Sequence, residues 1–276
     1  MQATTQQYKP TSNYIPWLDY AKILGIFLMI WGHAAGSADV RMYIWSFHMP
    51  LFFVISGMLY RPMTLKETLK KDWHSLVIPY LLLNLMCWMY SITIQTVKGT
   101  ISLTSLYHDA GAILLGLGYS TNIFTPVSTP CWFIYSLFLV RIMLAIAYRG
   151  KQTHLFCLVV FSLAVTAFLQ YKHIDLWIPF DSAFLVMPFV GVGIVFRNAI
   201  MRFAEIRKYW SLAALLIIMV LWYLFATYNG RVDANSCKMG NSFALYYIVA
   251  ILGTLSFFKC SSLVCNKIGS DTLTGG

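Results

Sequence analysis

Apolar runs of roughly 16 to 23 residues recur from one end of this chain to the other, and a short polar stretch closes each of them; coiled into helix, such runs match the thickness of a bilayer's hydrocarbon layer. The pattern predicts an all-α, polytopic transmembrane bundle of about eight spans. They fall near Trp17–Ala35, Tyr43–Tyr60, Ser75–Val97, Trp132–Tyr148, Leu155–Gln170, Ala183–Arg197, Tyr209–Tyr228 and Ser242–Phe258. The run "AGAILLGLG" at 110–118 is too short to cross and reads as a re-entrant or interfacial segment in a long outer loop. No internal repeat divides the chain, so residues 1–276 read as a single integral membrane domain. The first 13 residues are polar, and the first apolar run is too long and wrongly flanked for a cleavable signal peptide.

Composition excludes a soluble two-domain protein. The chain is 59% hydrophobic and 11% charged, about half the charged share of an ordinary soluble domain. The net charge of +10 invites a nucleic-acid reading, but the placement of the basic residues removes it. Arg61, Lys66, Lys70 and Lys71 follow the second run, Arg149 and Lys151 the fourth, Arg197, Arg202, Arg207 and Lys208 the sixth, and Lys259 and Lys267 the eighth. The loops between hold only Arg41, Lys98, Lys172, Arg231 and Lys238. Such alternation follows the positive-inside rule and predicts a cytoplasmic N-terminus. The six cysteines form no CxxC pair and no zinc spacing. Cys131 and Cys237 both fall in outward-facing segments, which leaves a disulfide between them open.

Three ionisable residues stand out in the first run, "WLDYAKILGIFLMIWGHAAG". Lys22 and His33 are separated by three helical turns plus about 20°, and Asp19 lies about 40° to the other side of His33, so one stripe carries all three. Ionisable groups on a membrane helix are costly and turn to a cavity or a partner helix. A purely structural reading of the same residues exists: Asp19 in the headgroup layer, Lys22 snorkelling to it, and His33 closing the outer end. The next run, "WSFHMPLFFVISGMLYR", brings a second histidine, His48, early in an antiparallel neighbour, at the depth of His33. Pro50 suits a first turn, and Ser56 and Gly57 allow close helix approach. Two histidines meeting there point to proton transfer. Without a third ligand they make no metal site.

These residues resemble membrane acyltransferase family 3, and within it the branch of fucose O-acetylases. The family's first helix reads approximately Asp-x-x-Arg-x(10)-His, matched by Asp19, Lys22 and His33. Its second-helix motif, His-x-Pro-x-Phe-Phe-x-x-Ser-Gly, is matched by His48, Pro50, Phe52, Phe53, Ser56 and Gly57. Looser likenesses follow at Pro79 and Tyr80, at Trp132, Phe133 and Arg141, and at Gly193 and Arg197. Two departures stand out. Lys22 keeps the charge of the usual arginine but lacks its planar fork. The chain also stops at "IGSDTLTGG", where the family continues with a further helix, so the last helix is expected to be missing.

The resemblance implies an O-acyltransferase that moves an acetyl group from acetyl-CoA, with no permanently bound cofactor. The acceptor would be a hydroxyl of a cell-envelope or exported glycan or of a lipid-linked sugar, and the setting a bacterial inner (plasma) membrane. His33 is the expected general base and His48 its orienting partner. Lys22 is expected to hold the donor or the oxyanion, Asp19 to fix Lys22, and Arg141 to reach a CoA phosphate. The expected partners are acyl-CoA, the sugar acceptor and the lipid bilayer, with no nucleic acid. The rival readings are a transporter or flippase for a polar or sugar-linked substrate, and an inactive fragment or scaffold; transporters often show internal repeats and paired broken helices, and the sequence pattern shows neither.

Overall fold

The computed structural model describes residues 15–34, 37–115, 131–148, 150–174, 176 and 180–274. Among them it forms eleven α-helices and no named strand: α1 (Pro16–Ala34), α2 (Ala38–Trp45), α3 (His48–Met58), α4 (Leu65–Asp72), α5 (Ile78–Val97), α6 (Leu103–Leu115), α7 (Trp132–Ala147), α8 (Gln152–Lys172), α9 (Phe180–Glu205), α10 (Tyr209–Asn229) and α11 (Phe243–Thr274). Each expected span has a helical counterpart. Five stretches are long and apolar enough to cross a bilayer: 65–97, 152–172, 180–205, 209–229 and 243–267. The count of eight is not reached on that measure. α7 is apolar but has 16 residues, α3 has 11, and α1 carries Asp19, Lys22 and His33 among its 19. Ala35, residues 116–118 and Arg149 lie outside the described residues.

The chain is an integral membrane protein. α10 leaves Leu216, Ile217, Val220 and Leu224 exposed, and α5 does the same with Leu82, Leu85, Met86 and Met89. Contiguous apolar faces of that extent require lipid.

α9 is the central helix and packs on α3, α7, α8 and α11. Its contact with α3 is backbone on backbone. A Cβ built on Gly57 would run into the Val190 carbonyl oxygen, and one on Gly193 into that of Val54. Lipid tails give helices no hydrophobic drive to associate, so close approach through small residues supplies the packing instead. Gly57 acts as its sequence context indicates, and Gly193 is its partner.

The second predicted span is broken. Its first residues belong to the short α2, and the chain turns at Ser46 and Phe47 before α3 begins at His48. Pro50 explains the break, because it has no N–H to continue a helix across 46–50 and fits only the first turn of a new one. The turn is held from outside by Trp222 of α10, whose Nε1 donates to Ser46 Oγ at 3.1 Å and whose ring meets Phe47 edge-on at 5.6 Å.

The third span is preceded by α4, which the run pattern does not reveal. A capping box starts it: Glu67 N donates to Thr64 Oγ1 at 3.3 Å, and Thr64 N donates to Glu67 Oε2 at 2.8 Å. Lys66, Lys70 and Lys71 are exposed while Thr68 and Asp72 are buried against α7. A π-helical turn, Trp73–Val77, joins α4 to α5. Pro79 would press on the Ser75 carbonyl in an α-helix, and the wider turn relieves that contact.

α6 fits the non-spanning reading of 110–118 but starts earlier. Its 13 residues cover about 20 Å, and it lies against α5, where Tyr80 Oη donates to Ile113 O at 2.8 Å. Cys131 packs with Tyr80 and Ile113, whereas Cys237 belongs to the main core, so the two sit in separate clusters.

The last span does not end at Phe258. α11 runs on through Lys259 to Thr274, because no glycine or proline interrupts 254–268. Lys259 is fully buried, and its ammonium donates to the carbonyls of Phe203, at 3.0 Å, and Ile206. These carbonyls at the end of α9 have no partner in their own helix, so a cation satisfies them and meets the negative end of the helix dipole.

Candidate functional site

His33 and His48 come together. His33 stands in the last turn of α1 and His48 opens α3, and both line one cavity of about 330 Å³. The other lining residues include Trp45, Trp132, Arg231, Asp233 and Asn235. That volume lies within the range of small-molecule sites.

The break between α2 and α3 sets the chemistry of His48. The ring is 4% exposed, and Nδ1 lies 2.9 Å from the Ile44 carbonyl oxygen. A carbonyl only accepts, so Nδ1 carries the proton, and in the neutral ring Nε2 is left as the acceptor. α2 ends one residue later, so the Ile44 carbonyl receives only a long backbone bond from Phe47 N, at 3.3 Å, and has room for the ring. The proline that breaks the span thus also creates the anchor that orients the histidine.

His33 is held less tightly. Its ring lies 5.8 Å from that of Trp45, and Trp45 in turn lies under the Arg231 guanidinium at 5.0 Å. Gly32 makes room for this stack, since a Cβ there would come 3.1 Å from Trp45 Nε1.

Asp19 and Lys22 do not reach this cavity. They pair with each other, Lys22 Nζ donating to Asp19 Oδ1 at 2.8 Å, and both are more than a third exposed. α1 is unbroken between Lys22 and His33, which puts the two about 16 Å apart along its axis. That separation removes the idea that Lys22 stabilises an oxyanion beside His33. The stripe is also not the buried face of α1. The buried line is Trp17, Leu18, Ala21, Gly25 and Gly32, and the ionisable residues run along its edge.

Arg141 finds its anion inside the protein. Its Nε lies 3.0 Å from Asp72 Oδ2, with the Asp72 side chain fully buried. The buried carboxylate takes Nε, so a CoA phosphate would share the guanidinium with Asp72. The aromatic pair Tyr60–Tyr148, at 6.0 Å, marks the same end of the bundle, because α3 runs from His48 at the cavity towards Tyr60.

The basic groups follow this polarity. Trp17 Nε1 donates to Glu205 Oε1 at 3.2 Å, and Arg207 donates to Ser262 O at 3.0 Å. The segments holding Arg61, Lys70, Lys71, Arg202 and Arg207 therefore lie at the end opposite the histidine cavity.

Among the polar and aromatic residues of the cavity, Trp45, Arg231, Asp233 and Asn235 escape a reading of runs and motifs. A signal for three of them was present. "GRVDANSCKMGN" is a short polar connection between two long apolar runs, and it must return the chain to the same end at which α1 finishes. Asp72 was also missed, since its charge is masked among Lys70 and Lys71.

Among known proteins, the family model described as an acyltransferase domain matches residues 15–274. No curated protein matches the chain, and no solved structure does.

Proposed function

This chain belongs to the acyltransferase family, and we propose that its acyl transfer takes place in the cavity shared by His33 and His48. The donor is an acyl-CoA, acetyl-CoA best fitting the motif likeness to fucose O-acetylases. The acceptor is a hydroxyl of an envelope or exported glycan or of a lipid-linked sugar.

In this reading the acceptor hydroxyl gives its proton to a ring nitrogen of His33. Its oxygen then bonds to the thioester carbonyl carbon, the carbon–sulfur bond breaks, and the departing thiolate takes up the proton. His48, with Nδ1 committed to Ile44, offers Nε2 to orient the acceptor. Lys22 attracts the donor's phosphates at the opposite end, with Asp19 holding its ammonium in place. The long axis of α1 separates that contact from the chemistry, and a flexible pantetheine arm bridges the two. The alternation of basic segments supports a cytoplasmic N-terminus with the histidine cavity towards the outer face, and the motif likeness alone suggests a bacterial inner membrane.

The observation that carries the proposal is the convergence of two histidines from separate helices on one cavity that Arg231, Asp233 and Asn235 also line. The test is transfer of labelled acetyl groups from acetyl-CoA to cell-envelope glycans by the purified protein. His33→Ala is expected to cost about 10²–10⁴-fold in turnover while the protein still inserts and elutes as wild type. Lys22→Arg should retain transfer, and Lys22→Ala should raise the KM for the donor. Near wild-type turnover by His33→Ala would remove the base assignment.

A further inference from the structure

The connection between α10 and α11 contributes more to the cavity than its role as a loop requires. Arg231, Asp233 and Asn235 all line it. The segment is rigidly built. Asp233 and Lys238 exchange two backbone hydrogen bonds, at 2.7 and 2.8 Å. Asn229, buried at the end of α10, donates from Nδ2 to Met239 O at 2.8 Å and accepts from Ser242 N at 3.0 Å. Gln170 of α8 donates to Cys237 O at 2.7 Å. Val232, Cys237 and Met239 turn into the core, while Arg231, Asp233, Ala234 and Asn235 line the cavity.

The charges brought there are not spent on each other. Arg231 and Asp233 form no ion pair with any described residue. Arg231 rests on the Trp45 ring, and Asp233 uses Oδ1 to accept from Asn235 N at 3.1 Å. Those two contacts leave donor and acceptor capacity on the guanidinium and the carboxylate, and both groups face one cavity. A ligand with donors and acceptors on adjacent atoms explains it.

Resting on the acyl-transfer reading, we propose that Arg231, Asp233 and Asn235, with the indoles of Trp45 and Trp132, form the acceptor subsite and bind a neutral sugar ring through a vicinal diol. The carboxylate accepts from two adjacent hydroxyls, and the guanidinium and the amide donate to hydroxyl oxygens. The Trp132 indole supplies an apolar face for the ring's C–H groups, and Trp45, which carries Arg231 on its own ring, holds that guanidinium in place. One negative and one positive group leave the subsite without net charge, which selects a neutral sugar over an acidic one. The subsite shares its cavity with His33 and His48, so a bound hydroxyl lies beside the base.

The test separates binding from catalysis. Wild type, His33→Ala, Asp233→Asn, Arg231→Gln and Lys238→Gln are placed in nanodiscs. Saturation-transfer NMR then measures binding of the methyl glycosides of fucose, rhamnose, galactose, glucose and mannose, alongside glucuronic acid. Asn at 233 keeps an oxygen for the Asn235 amide, so the loop geometry is retained, and thermal melting confirms it. Wild type and His33→Ala should bind at least one neutral glycoside and prefer it to glucuronic acid. Asp233→Asn and Arg231→Gln should each weaken that binding about ten- to hundred-fold, the loss of charge-assisted hydrogen bonds, and Lys238→Gln should not. In transfer assays Asp233→Asn should raise the acceptor KM far more than it lowers kcat. A wild type that binds none of the neutral glycosides, or Asp233→Asn and Arg231→Gln variants that bind as wild type does, overturns the subsite. A wild type that binds sugar yet transfers no acyl group overturns the catalytic reading and leaves the subsite standing.

Discussion

Gly57→Ala tests the contact on which the position of His48 depends. The new Cβ would overlap the Val190 carbonyl oxygen and come within 2.9 Å of Val190 C and 3.0 Å of Gly193 Cα. All three are backbone atoms of α9, so no side chain can swing away. Relief requires α3 and α9 to separate, and a gap of 0.5–1 Å already forfeits a quarter to a half of each dispersion contact across the interface. Overpacking costs about 1–3 kcal/mol in general; relief by backbone alone places this site at the upper figure, about 3 kcal/mol. At roughly 2–4 °C per kcal/mol for a chain of this size, the melting temperature should fall by roughly 6–12 °C. The control is Gly25→Ala, whose Cβ meets Leu51 Cδ2 and Phe52 Cζ at 3.0 Å. Those are side-chain ends that need to give by only a few tenths of an ångström, so the cost should stay near the lower figure, about 1 kcal/mol. Tryptophan-fluorescence melting in detergent reads both variants. Because α3 begins at His48, Gly57→Ala should also lose acyl transfer below its melting temperature. A Gly57→Ala protein that melts with wild type, or no lower than Gly25→Ala, would refute the backbone contact between α3 and α9.

Arg141→Ala leaves Asp72 buried and unpaired and should destabilise by about 3–5 kcal/mol. In a double-mutant cycle, Asp72→Asn should recover much of that loss; strictly additive effects would show that the pair is not coupled. For topology, cysteines placed at Lys70 and Arg202 should resist an impermeant maleimide added to intact cells, while one at Lys238 should react; labelling of the first two from outside would invert the orientation.

Apolar run length and the spacing of basic residues disclosed the helices in nearly the right places, because bilayer thickness and backbone hydrogen bonding allow few other solutions. The same local rules show why some boundaries moved. Pro50 was visible, but its consequence, a helix break that frees the Ile44 carbonyl for His48, needed the three-dimensional path of α2. Lys259 looked like part of a basic loop because charge alone cannot show that α9 ends beside it with unsatisfied carbonyls. Asp72 was hidden for a related reason: whether a carboxylate faces solvent or Arg141, 69 residues away in sequence, is decided by how α4 packs on α7.

The histidine pair lies at the border between the two kinds of information. Helical periodicity put Asp19, Lys22 and His33 on one stripe of α1, and hairpin connectivity put His48 at the depth of His33. A single helix's geometry follows from its own residues, and neighbouring helices joined by a short link have little freedom. What closes the cavity does not follow from either. Asp19 and Lys22 lie at the far end of α1 by the fixed rise of the helix, while Arg231, Asp233 and Asn235 arrive from nearly 200 residues later in the chain. Lipid-exposed runs are selected by composition alone, so the sequence determined that this chain is a helical membrane protein and which ionisable residues stand at each end of α1. Which distant loop meets those residues depends on side chains interlocking across helices, Gly57 on Gly193, Lys259 on the end of α9, Gln170 on Cys237, and only the packed bundle decides that.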